Sequence, residues 1–438
     1  MNFEEFKKLE NKSNIGSEMF ELMKSLFPIC RSITGNGVRT SFDIIKNIIN
    51  LEIKEIPTDT PVFDWTVPKE WNITDAYIAD LHGNKIIDFK NSNLHVVSYS
   101  EPIKKIISLD ELKKHIHTIP EKPDTIPYLT TYYNQDWGFC MSHNDFLNLN
   151  DSEYEILIDS KLDKGSMSIG EYYIRGETSD EFLISCYICH PSMCNDNLSG
   201  VVLTTILAKY LSNQKLKYSY RFLFVPETIG SITWISLNEN NLSKIKHGLV
   251  ATCLGDSGIS TYKKTKYGDS EIDKTVEFVL KNSDSEYNIL DFFPTGSDER
   301  QFGSPAFNLN VGSLMRTPYG KFSQYHTSDD DLHFVKSDYL FDSFLKYLKT
   351  IFIIENNRKY VSLNPKCEPQ FGKRGLYRNL GGQKNKQDAE LAMFWVMSFS
   401  DGQNDLIDIS EKSKLSFELI LETTKKLVSH KLLEEYHD

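Results

Sequence analysis

The run from Glu181 to Leu211 has the pattern of a strand, a polar turn and a helix, and this order constrains the fold more than any other stretch. The segment "EFLISCYI" is apolar and β-branched, which is typical of a strand buried in a parallel or mixed sheet. The segment "NDNLSGVVLTTILAKYL" then carries apolar residues at helical spacing. His190 and Asp196 therefore fall at the carboxyl end of a strand, where α/β sheets place their ligands.

The same stretch suggests two other chemistries through its "CYICH" segment. Covalent haem attachment is disfavoured, because it belongs to exported proteins and because Pro191 follows where a helix would normally continue. A cysteine zinc site needs a second ligand pair, which the remaining cysteines do not supply at a recognisable spacing. We expect most of the 7 cysteines to be small buried apolar residues, outside any disulfide framework.

The layout of an apolar stretch followed by a polar corner recurs along the chain. Glu227 follows the strand pattern "YSYRFLFV", Asp298 lies in "FFPTGSDERQF", and "KFSQYHTSDDDLHFV" supplies His326. Any one of these residues alone would be interpreted as a helix cap or a satisfied histidine. Together with the two residues above they offer the imidazole and carboxylate ligands that suit zinc, with one carboxylate left over as a base.

These motifs resemble those of a known family. The order His190, Asp196, Glu227, Asp298 and His326, carried by "NDNLSG", "GSDERQF" and "YHTSDD", resembles that of the zinc exopeptidases, which include bacterial leucyl aminopeptidases and glutaminyl cyclases. The chain is more closely similar to aminopeptidase-like proteins, often labelled polysaccharide biosynthesis proteins, that combine such a core with a nested domain and a winged-helix tail. This likeness runs over nearly the whole chain and includes "LFPICRSITGNGVRT" and "DWGFCMSHNDF".

The resemblance implies an α/β fold with a mixed, mostly parallel sheet sandwiched by helices. It places a zinc aminopeptidase-like domain at residues 1–56 and 129–360, an inserted β-rich domain at 57–128, and a winged-helix domain at 365–438. The short alternating runs "AYIADLHGNKIIDF" and "NLHVVSYS" favour strands in the insertion. Three helical patterns in the tail favour a helix-turn-helix followed by a short wing.

The resemblance also assigns roles to single residues. It makes His190, Asp196 and Asp298 the ligands of one metal ion. Asp196 would bridge to a second ion, which the peptidases hold with a glutamate and the counterpart of His326. Glu227 matches the general base that takes a proton from the attacking water and passes it to the leaving amine.

Three positions depart from the family pattern. Thr228 stands where the peptidases have a second glutamate, so the second metal site loses a charged donor. Ser192 replaces an aspartate that orients the first histidine, a loss that typically weakens metal binding by roughly 10- to 100-fold. Glu299 stands where the family usually has histidine, either as a ligand or as the partner of Arg300 or Arg316 in a structural ion pair. We therefore expect one tightly bound zinc ion and a degraded second site.

The expected function is that of a metal-dependent hydrolase, an aminopeptidase or amidase acting on a small peptide or an amino-sugar-like substrate. The alternative is a non-catalytic, metal-containing ligand-binding or scaffold protein linked to polysaccharide biosynthesis. Retention of Glu227 favours the hydrolase, whereas loss of the second-site glutamate favours the binding protein. The residues expected to contact substrate are Glu299, Arg300, Arg316 and Tyr325. A free amine of the substrate would be received by Glu299, Asp329 or Asp330.

Composition limits the cellular setting and the partners. At 438 residues and 40% hydrophobic, the chain can bury a large core and form two or three domains. No run of about 18 apolar residues occurs, and the opening "MNFEEFKKLENKS" lacks the layout of a signal peptide, so we expect a cytoplasmic protein without a membrane partner. The formal net charge of -12 gives no general electrostatic attraction to nucleic acid.

The tail is the one part of the chain whose expected fold suggests DNA binding. Its last helical pattern carries Glu418 and Glu422 against Lys425 and Lys426, and acidic residues outnumber basic ones over the tail. Because phosphate neutralisation would be weak, we do not expect DNA binding. We expect the tail to dock onto a protein partner or a second copy of the chain.

Overall fold

The computed structural model of the chain describes residues 1, 3–12, 14–283, 285–376 and 384–436. By contacts the chain divides into two units, residues 10–347 and residues 1–9 with 348–438. The helices are α1 (Phe3–Glu10), α2 (Ile15–Leu26), α3 (Asn36–Lys46), α4 (Leu109–Leu112), α5 (His143–Leu147), α6 (Ser199–Leu211), α7 (Ile229–Asn238), α8 (Glu271–Lys281), α9 (Glu299–Phe302), α10 (Ser337–Asn356), α11 (Lys384–Phe399), α12 (Leu406–Ser413) and α13 (Phe417–Ser429). Among the described residues, no helix is both long and apolar enough to cross a membrane.

The strands form one large sheet and several small ones. They are β1 (Glu52–Pro57), β2 (Pro61–Val62), β3 (Trp65–Thr66), β4 (Glu70–Ala79), β5 (Lys85–Asp88), β6 (Ile103–Ser108), β7 (Ile116–His117), β8 (Phe139–Cys140), β9 (Glu153–Asp163), β10 (Ser166–Ile174), β11 (Glu181–Tyr187), β12 (Ser219–Val225), β13 (Ile245–Ala251), β14 (Ser260–Lys263), β15 (Tyr287–Leu290), β16 (Val311–Met315), β17 (Lys359–Ser362), β18 (Asp401–Asp405) and β19 (Leu433–Glu435).

An eight-stranded mixed sheet forms the centre of the larger unit, with the order β1-β10-β12-β11-β13-β16-β14-β15. Its four central strands, from β12 to β16, are mutually parallel, and antiparallel pairings join them to the two flanks. Helix α6 packs on β11 and β13, and α8 packs on β13 and β16. This arrangement confirms the predicted α/β fold with a mostly parallel sheet.

Strand β11 shows why its sequence is almost continuously apolar. All seven of its residues are buried, because it lies between two parallel neighbours in the middle of the sheet. Helix α6, which follows the polar turn after β11, is also buried along most of its length. The strand, turn and helix predicted from the sequence are therefore all present.

The β-rich insertion is longer than the predicted segment 57–128. Its four-stranded antiparallel sheet has the order β5-β4-β9-β6, and β9 lies at Glu153–Asp163, beyond residue 128. The insertion leaves the main sheet after β1 and returns at β10, where Pro57 and Ser166 are paired neighbours. The alternation of buried Tyr154, Ile156 and Ile158 with more exposed residues is the period-2 pattern of such a strand. The stretch that returns to the main sheet therefore begins at about residue 166 and not at 129.

The smaller unit contains helices α11, α12 and α13 and the three-stranded antiparallel sheet β18-β17-β19. Asp405 caps the start of α12 and forms a capping box with Asp408, and α13 is capped by Ser416. The last helical pattern of the sequence, "SFELILETTKKLVSHKLLEEY", predicts a helix over 416–436, which is too long, because residues after Ser429 turn back and form β19 against β17. Since β17 begins at Lys359, the predicted start of this unit at residue 365 is too late.

Candidate metal centre

Three side chains converge beyond the carboxyl ends of the parallel strands. One ligand atom of His190, one of Asp196 and one of His326 all lie within 4.8 Å of one another. His326 Nε2 lies 2.9 Å from Asp196 Oδ2, and His190 Nε2 lies 3.9 Å from the same oxygen. His190 and Asp196 are buried, whereas the side chain of His326 is partly exposed. The group can therefore hold a metal ion that a small molecule can reach.

The central strands and the loops after them position these three residues. His190 follows β11, Asp196 lies in the turn between β11 and α6, and His326 comes from the segment after β16. Asp330 accepts hydrogen bonds from the backbone nitrogens of Asn195, at 2.6 Å, and Asp196, at 2.9 Å. This carboxylate thereby ties the turn that bears Asp196 to the segment that bears His326.

Neighbouring side chains orient the ligand atoms. The Tyr187 hydroxyl donates to Asp196 Oδ1, which leaves Oδ2 directed towards the two histidines. Arg31 Nε donates to the carbonyl of His190 at 3.0 Å. Ser192, which replaces the expected orienting aspartate, instead donates to the carbonyl of Phe27 at 2.8 Å. The Nδ1 atom of His190 is 3.4 Å from the adjacent cysteine sulfur, so the carboxylate usual beside a metal-binding histidine has no counterpart in the described structure.

The polar atoms of the group are those that a cation would satisfy. Within the part of the chain that the structure describes, Asp196 Oδ2 and His326 Nε2 are buried and, although they lie 2.9 Å apart, neither has a well-aligned hydrogen bond. Buried polar atoms are normally paired, so atoms without partners that face one another call for a ligand. Two imidazoles and one carboxylate form the three-ligand open site typical of catalytic zinc. The residues present therefore fit a zinc ion.

The protonation states also suit metal binding. Burial lowers the pKa of His190 to about 4. Burial by itself would raise the pKa of Asp196, but His190 and His326 together lower it to about 2. At neutral pH His190 is therefore neutral and Asp196 is ionised, which are the forms that bind a metal.

Glu227 lies beside this group and outside it. Its Oε2 atom is 3.9 Å from His190 Nε2, and its side chain is 29% exposed. Desolvation, together with the charges of Asp298 and Asp196, raises the pKa of Glu227 well above the ordinary glutamate value. A carboxylate with a raised pKa at the wall of a cavity is suited to proton transfer.

Asp298, predicted as a metal ligand, is not part of the group of three. It comes from the loop after β15, at the edge of the sheet, and its Oδ1 accepts from the backbone nitrogen of Thr228 at 2.7 Å and from the Ser231 hydroxyl at 2.9 Å. Burial raises the pKa of Asp298 to about 6, and its charge in turn raises that of Glu227. Asp298 therefore lies outside the group of three, whereas His326, which the resemblance implies as a ligand of the second ion, belongs to it.

Thr228 takes part in this network through its backbone. It lies at the start of α7 with a φ of 64°, in a left-handed region that β-branched residues rarely adopt. Ser192, Cys253 and His326, which also have positive φ angles, lie in other turns of the same unit. Such conformations cost on the order of 1–3 kcal/mol each, and they cluster at functional sites.

The four predicted substrate contacts divide into two pairs. Arg300 and Tyr325 line a cavity of about 930 Å³ that also contains Glu227. Glu299 instead forms a fully buried ion pair with Lys263, so an ion pair is present but with a partner that was not predicted. Arg316 pairs with Asp342 and its guanidinium stacks on Tyr339, so it does not line this cavity.

The two aspartates predicted to receive an amine are also occupied. Asp329 accepts from the Thr125 hydroxyl at 3.1 Å, and Asp330 holds the Asp196 turn. Residue patterns did not single out Tyr187, Arg31 or Lys263 for the site. The signal for Arg31 was a lone cation within the mainly apolar segment "LFPICRSI", which a buried partner must compensate. Lys263 lies in the polar run "TYKKTKYGDS" and carried no such signal.

Comparison with known proteins shows the family to which the chain belongs. Residues 20–357 match the domain of unknown function DUF4910, and residues 358–435 match a winged helix-turn-helix. A Clostridium acetobutylicum protein, provisionally named a polysaccharide biosynthesis protein with an aminopeptidase-like domain, is 59% identical over 428 residues, which is 98% of each chain. The match to the winged helix-turn-helix confirms the predicted nature of the tail.

Solved structures extend the comparison. A crystal structure from Clostridium acetobutylicum, provisionally named a peptidase, is 57% identical with a TM-score of 0.93, and the match covers 98% of this chain and 99% of that chain. BSAP, a zinc aminopeptidase from Bacillus subtilis, has a TM-score of 0.56 at 12% identity and matches 78% of this chain and 94% of its own, which shows a shared fold. The chain therefore belongs to the DUF4910 family of aminopeptidase-like proteins, with a winged helix-turn-helix at residues 358–435.

Proposed function

We propose that the chain is a metal-dependent hydrolase that cleaves an amide bond in a small peptide or amino-sugar-like substrate. The observation that carries the proposal is the position of Glu227, 3.9 Å from His190, beside a group that fits zinc. A carboxylate is not required there for metal binding, since three ligands already converge. The fold shared with a zinc aminopeptidase is consistent with this chemistry.

Zinc bound by His190, Asp196 and His326 would supply Lewis-acid activation of water and of the substrate carbonyl. Glu227 would take the proton of the attacking water and transfer it to the leaving amine. Burial, Asp196 and Glu227 all raise the pKa of Tyr325, so its hydroxyl stays protonated and can donate to an oxygen on the substrate.

A second candidate is a non-catalytic protein that binds a ligand at the same centre. Thr228 favours it, because a threonine stands where the related peptidases are expected to have a second glutamate. The two candidates agree on the metal and differ on the role of Glu227. They are therefore separated by turnover and not by metal content.

The test uses the full chain purified without chelators. We expect about one equivalent of zinc by elemental analysis, and release of product from a panel of aminoacyl or N-acyl-amino-sugar amides. Glu227→Gln should keep the zinc and lower turnover by roughly 10²- to 10⁴-fold, because it removes the proton acceptor from a nearly isosteric side chain. Glu239→Gln, at an exposed carboxylate, is the matched control and should change neither property.

Wild-type turnover in the Glu227→Gln variant would rule out the proposed mechanism. A wild-type chain that holds zinc and binds a panel product, yet releases nothing from any substrate, would favour the non-catalytic candidate.

A further inference from the structure

The cavity beside the metal centre determines what the rest of the substrate can be. It has a volume of about 930 Å³, and its lining includes Glu227, Thr228 and Tyr325. Glu227 and Tyr325 are also neighbours of the metal-binding residues, since Glu227 lies 3.9 Å from His190 and the Tyr325 ring stacks on His326 at 3.9 Å. A substrate whose bond lies at Glu227 would therefore extend into this cavity.

The cavity offers little to a free amine. Glu227 is the only carboxylate among the described residues that line it. The nearby Glu299 is neutralised by Lys263, and both side chains are fully buried. Asp298 is held by Thr228 and Ser231. An ammonium group in this cavity would therefore have to compete for the proposed catalytic base.

The cavity does offer a cation that lacks an ionic partner. Arg300 lines this cavity and an adjoining one of about 490 Å³. A terminal nitrogen of its guanidinium donates a long hydrogen bond of 3.4 Å to the Thr228 hydroxyl, and its Nε is buried without a partner in the described chain. No carboxylate of the described residues lies within 4.0 Å of its guanidinium nitrogens. A half-buried guanidinium normally finds a carboxylate or phosphate partner, which here the substrate can supply.

Two further lining groups suit an acidic ligand. Lys321 adds a second cation, and its residue is exposed. The Thr261 hydroxyl is buried and has no hydrogen-bond partner within the described parts of the chain. Cations therefore outnumber carboxylates in the lining, two to one.

We infer that the cavity binds a substrate carrying an oxyanion, a carboxylate or a phosphate, which Arg300 holds away from the bond attacked at Glu227. The inference rests on the proposed function for the position of that bond. It makes the substrate an acidic amide, such as an N-acyl amino acid or a phosphorylated N-acyl amino sugar, and not a simple amino-terminal peptide.

A purely structural role for Arg300 makes a different prediction. Its charge lowers the pKa values of Glu227 and Asp298, against the larger effect of burial that raises both. If compensation of these buried carboxylates were its whole role, its removal would change the pH profile or the stability. It would not change the discrimination between charged and neutral ligands.

The test measures binding by calorimetry to the full-length, zinc-containing chain and does not require turnover. The carboxylate pair is N-acetylglycine with N-acetylglycinamide, the phosphate pair is N-acetylglucosamine 6-phosphate with N-acetylglucosamine, and glycinamide represents a free amine. In at least one pair we expect the anion to bind about tenfold or more tightly than its neutral partner. That pair identifies which oxyanion the site takes.

Arg300→Gln should reduce this preference to less than about threefold. Lys246→Gln is the control, because it removes an equal charge near the start of β13, whereas the metal centre lies beyond the carboxyl ends of the parallel strands. This variant should leave the preference unchanged. If Arg300→Gln does not fold, Arg300→Lys is used instead, because it keeps the charge but loses the forked geometry. It should lower the affinity for the favoured anion more than the affinity for its neutral partner.

The inference is overturned if glycinamide or the neutral members bind as tightly as the anions, or if the preference survives in Arg300→Gln. The preference would survive in Arg300→Gln if the anion bound directly to the zinc ion and not to Arg300. Anion selectivity without turnover would leave the inference in place while the proposed hydrolase fails. Turnover of neutral or amino-terminal substrates that Arg300→Gln leaves unchanged would support the proposed hydrolase and overturn the inference about Arg300.

Discussion

At the scale of single residues, the site depends on how buried charges are paired. Asp196 is held through one oxygen by Tyr187 and faces two histidines with the other. Glu299 is adjacent in sequence to Arg300, which lines the cavity, but its carboxylate is neutralised by a buried ion pair with Lys263. The first arrangement predicts how substitutions change zinc affinity, and the second predicts how they change the free energy of unfolding.

For the metal centre, His190→Ala and His326→Ala should both lose most of the zinc, because each removes one of only three ligands. Tyr187→Phe should keep zinc but bind it roughly 10- to 100-fold more weakly, since the Asp196 carboxylate loses its orienting hydrogen bond. Competition with a chromophoric chelator measures these affinities. Tyr173→Phe, at an exposed residue of β10, is the control. Full zinc retention in His326→Ala would mean that the ion is held elsewhere.

For the buried ion pair, Lys263→Met should destabilise the chain by about 3–5 kcal/mol, because the Glu299 carboxylate is left buried and unpaired. Lys264→Met removes the neighbouring and more exposed pair with Glu277 and should cost no more than about 1 kcal/mol. Urea unfolding followed by tryptophan fluorescence gives both values. Adding Glu299→Gln to Lys263→Met should recover part of the loss, and equal destabilisation by the two lysine substitutions would contradict this account.

At the scale of elements, the parallel strands supply one half of the metal centre and a long segment after β16 supplies the other. Residues of the insertion hold that segment. The Tyr128 backbone nitrogen donates to the His326 carbonyl at 2.8 Å, and the Ser328 backbone nitrogen donates to the Ile126 carbonyl at 2.8 Å. The insertion therefore contributes to the site although it supplies none of the three ligands.

Ser328→Pro tests this dependence, because proline has no backbone N–H to donate to the Ile126 carbonyl. We expect faster hydrogen exchange in residues 318–331 and weaker zinc binding, with the main sheet unchanged. Ser328→Ala keeps the backbone donor and loses only the hydroxyl that accepts from the Ile126 nitrogen, so it should have the smaller effect. If both variants bind zinc as tightly as the parent chain, the pairing with the insertion does not determine the position of His326.

At the scale of the whole molecule, the two units differ in what their sequences can bind. The winged helix-turn-helix has a fold used for major-groove binding. The chain has a net charge of -12, however, and in helix α13 Glu418 and Glu422 offset Lys425 and Lys426. Charge and fold therefore lead to opposite expectations for DNA.

We expect charge to dominate, because phosphate contacts supply most of the affinity for non-specific DNA. The full chain should show no binding to mixed-sequence duplex DNA below about 10 μM at physiological salt, measured by fluorescence anisotropy. A basic winged-helix protein of similar size is the positive control. Submicromolar binding with a steep dependence on salt would contradict this expectation and assign the tail to DNA.

The sequence alone determined the features that depend on local pattern. The buried run of β11, the helix α6 and the polar turn between them follow from apolar periodicity, and they place His190 and Asp196 at the carboxyl end of a strand. The family motifs gave the remaining members of the site, including Glu227 and His326. The α/β fold and the winged helix-turn-helix were predicted in the same way and are confirmed.

Only the tertiary structure decided which of these residues meet. Asp298 and His326 are equally plausible ligands in sequence, but Asp298 enters from the edge of the sheet and bonds to Thr228 and Ser231, while His326 reaches Asp196. Glu299 and Lys263 pair across 36 residues, a contact that no local pattern contains. The physical reason is that the energy of a buried charge depends on the partner brought to it by the folded chain, and not on its neighbours in sequence.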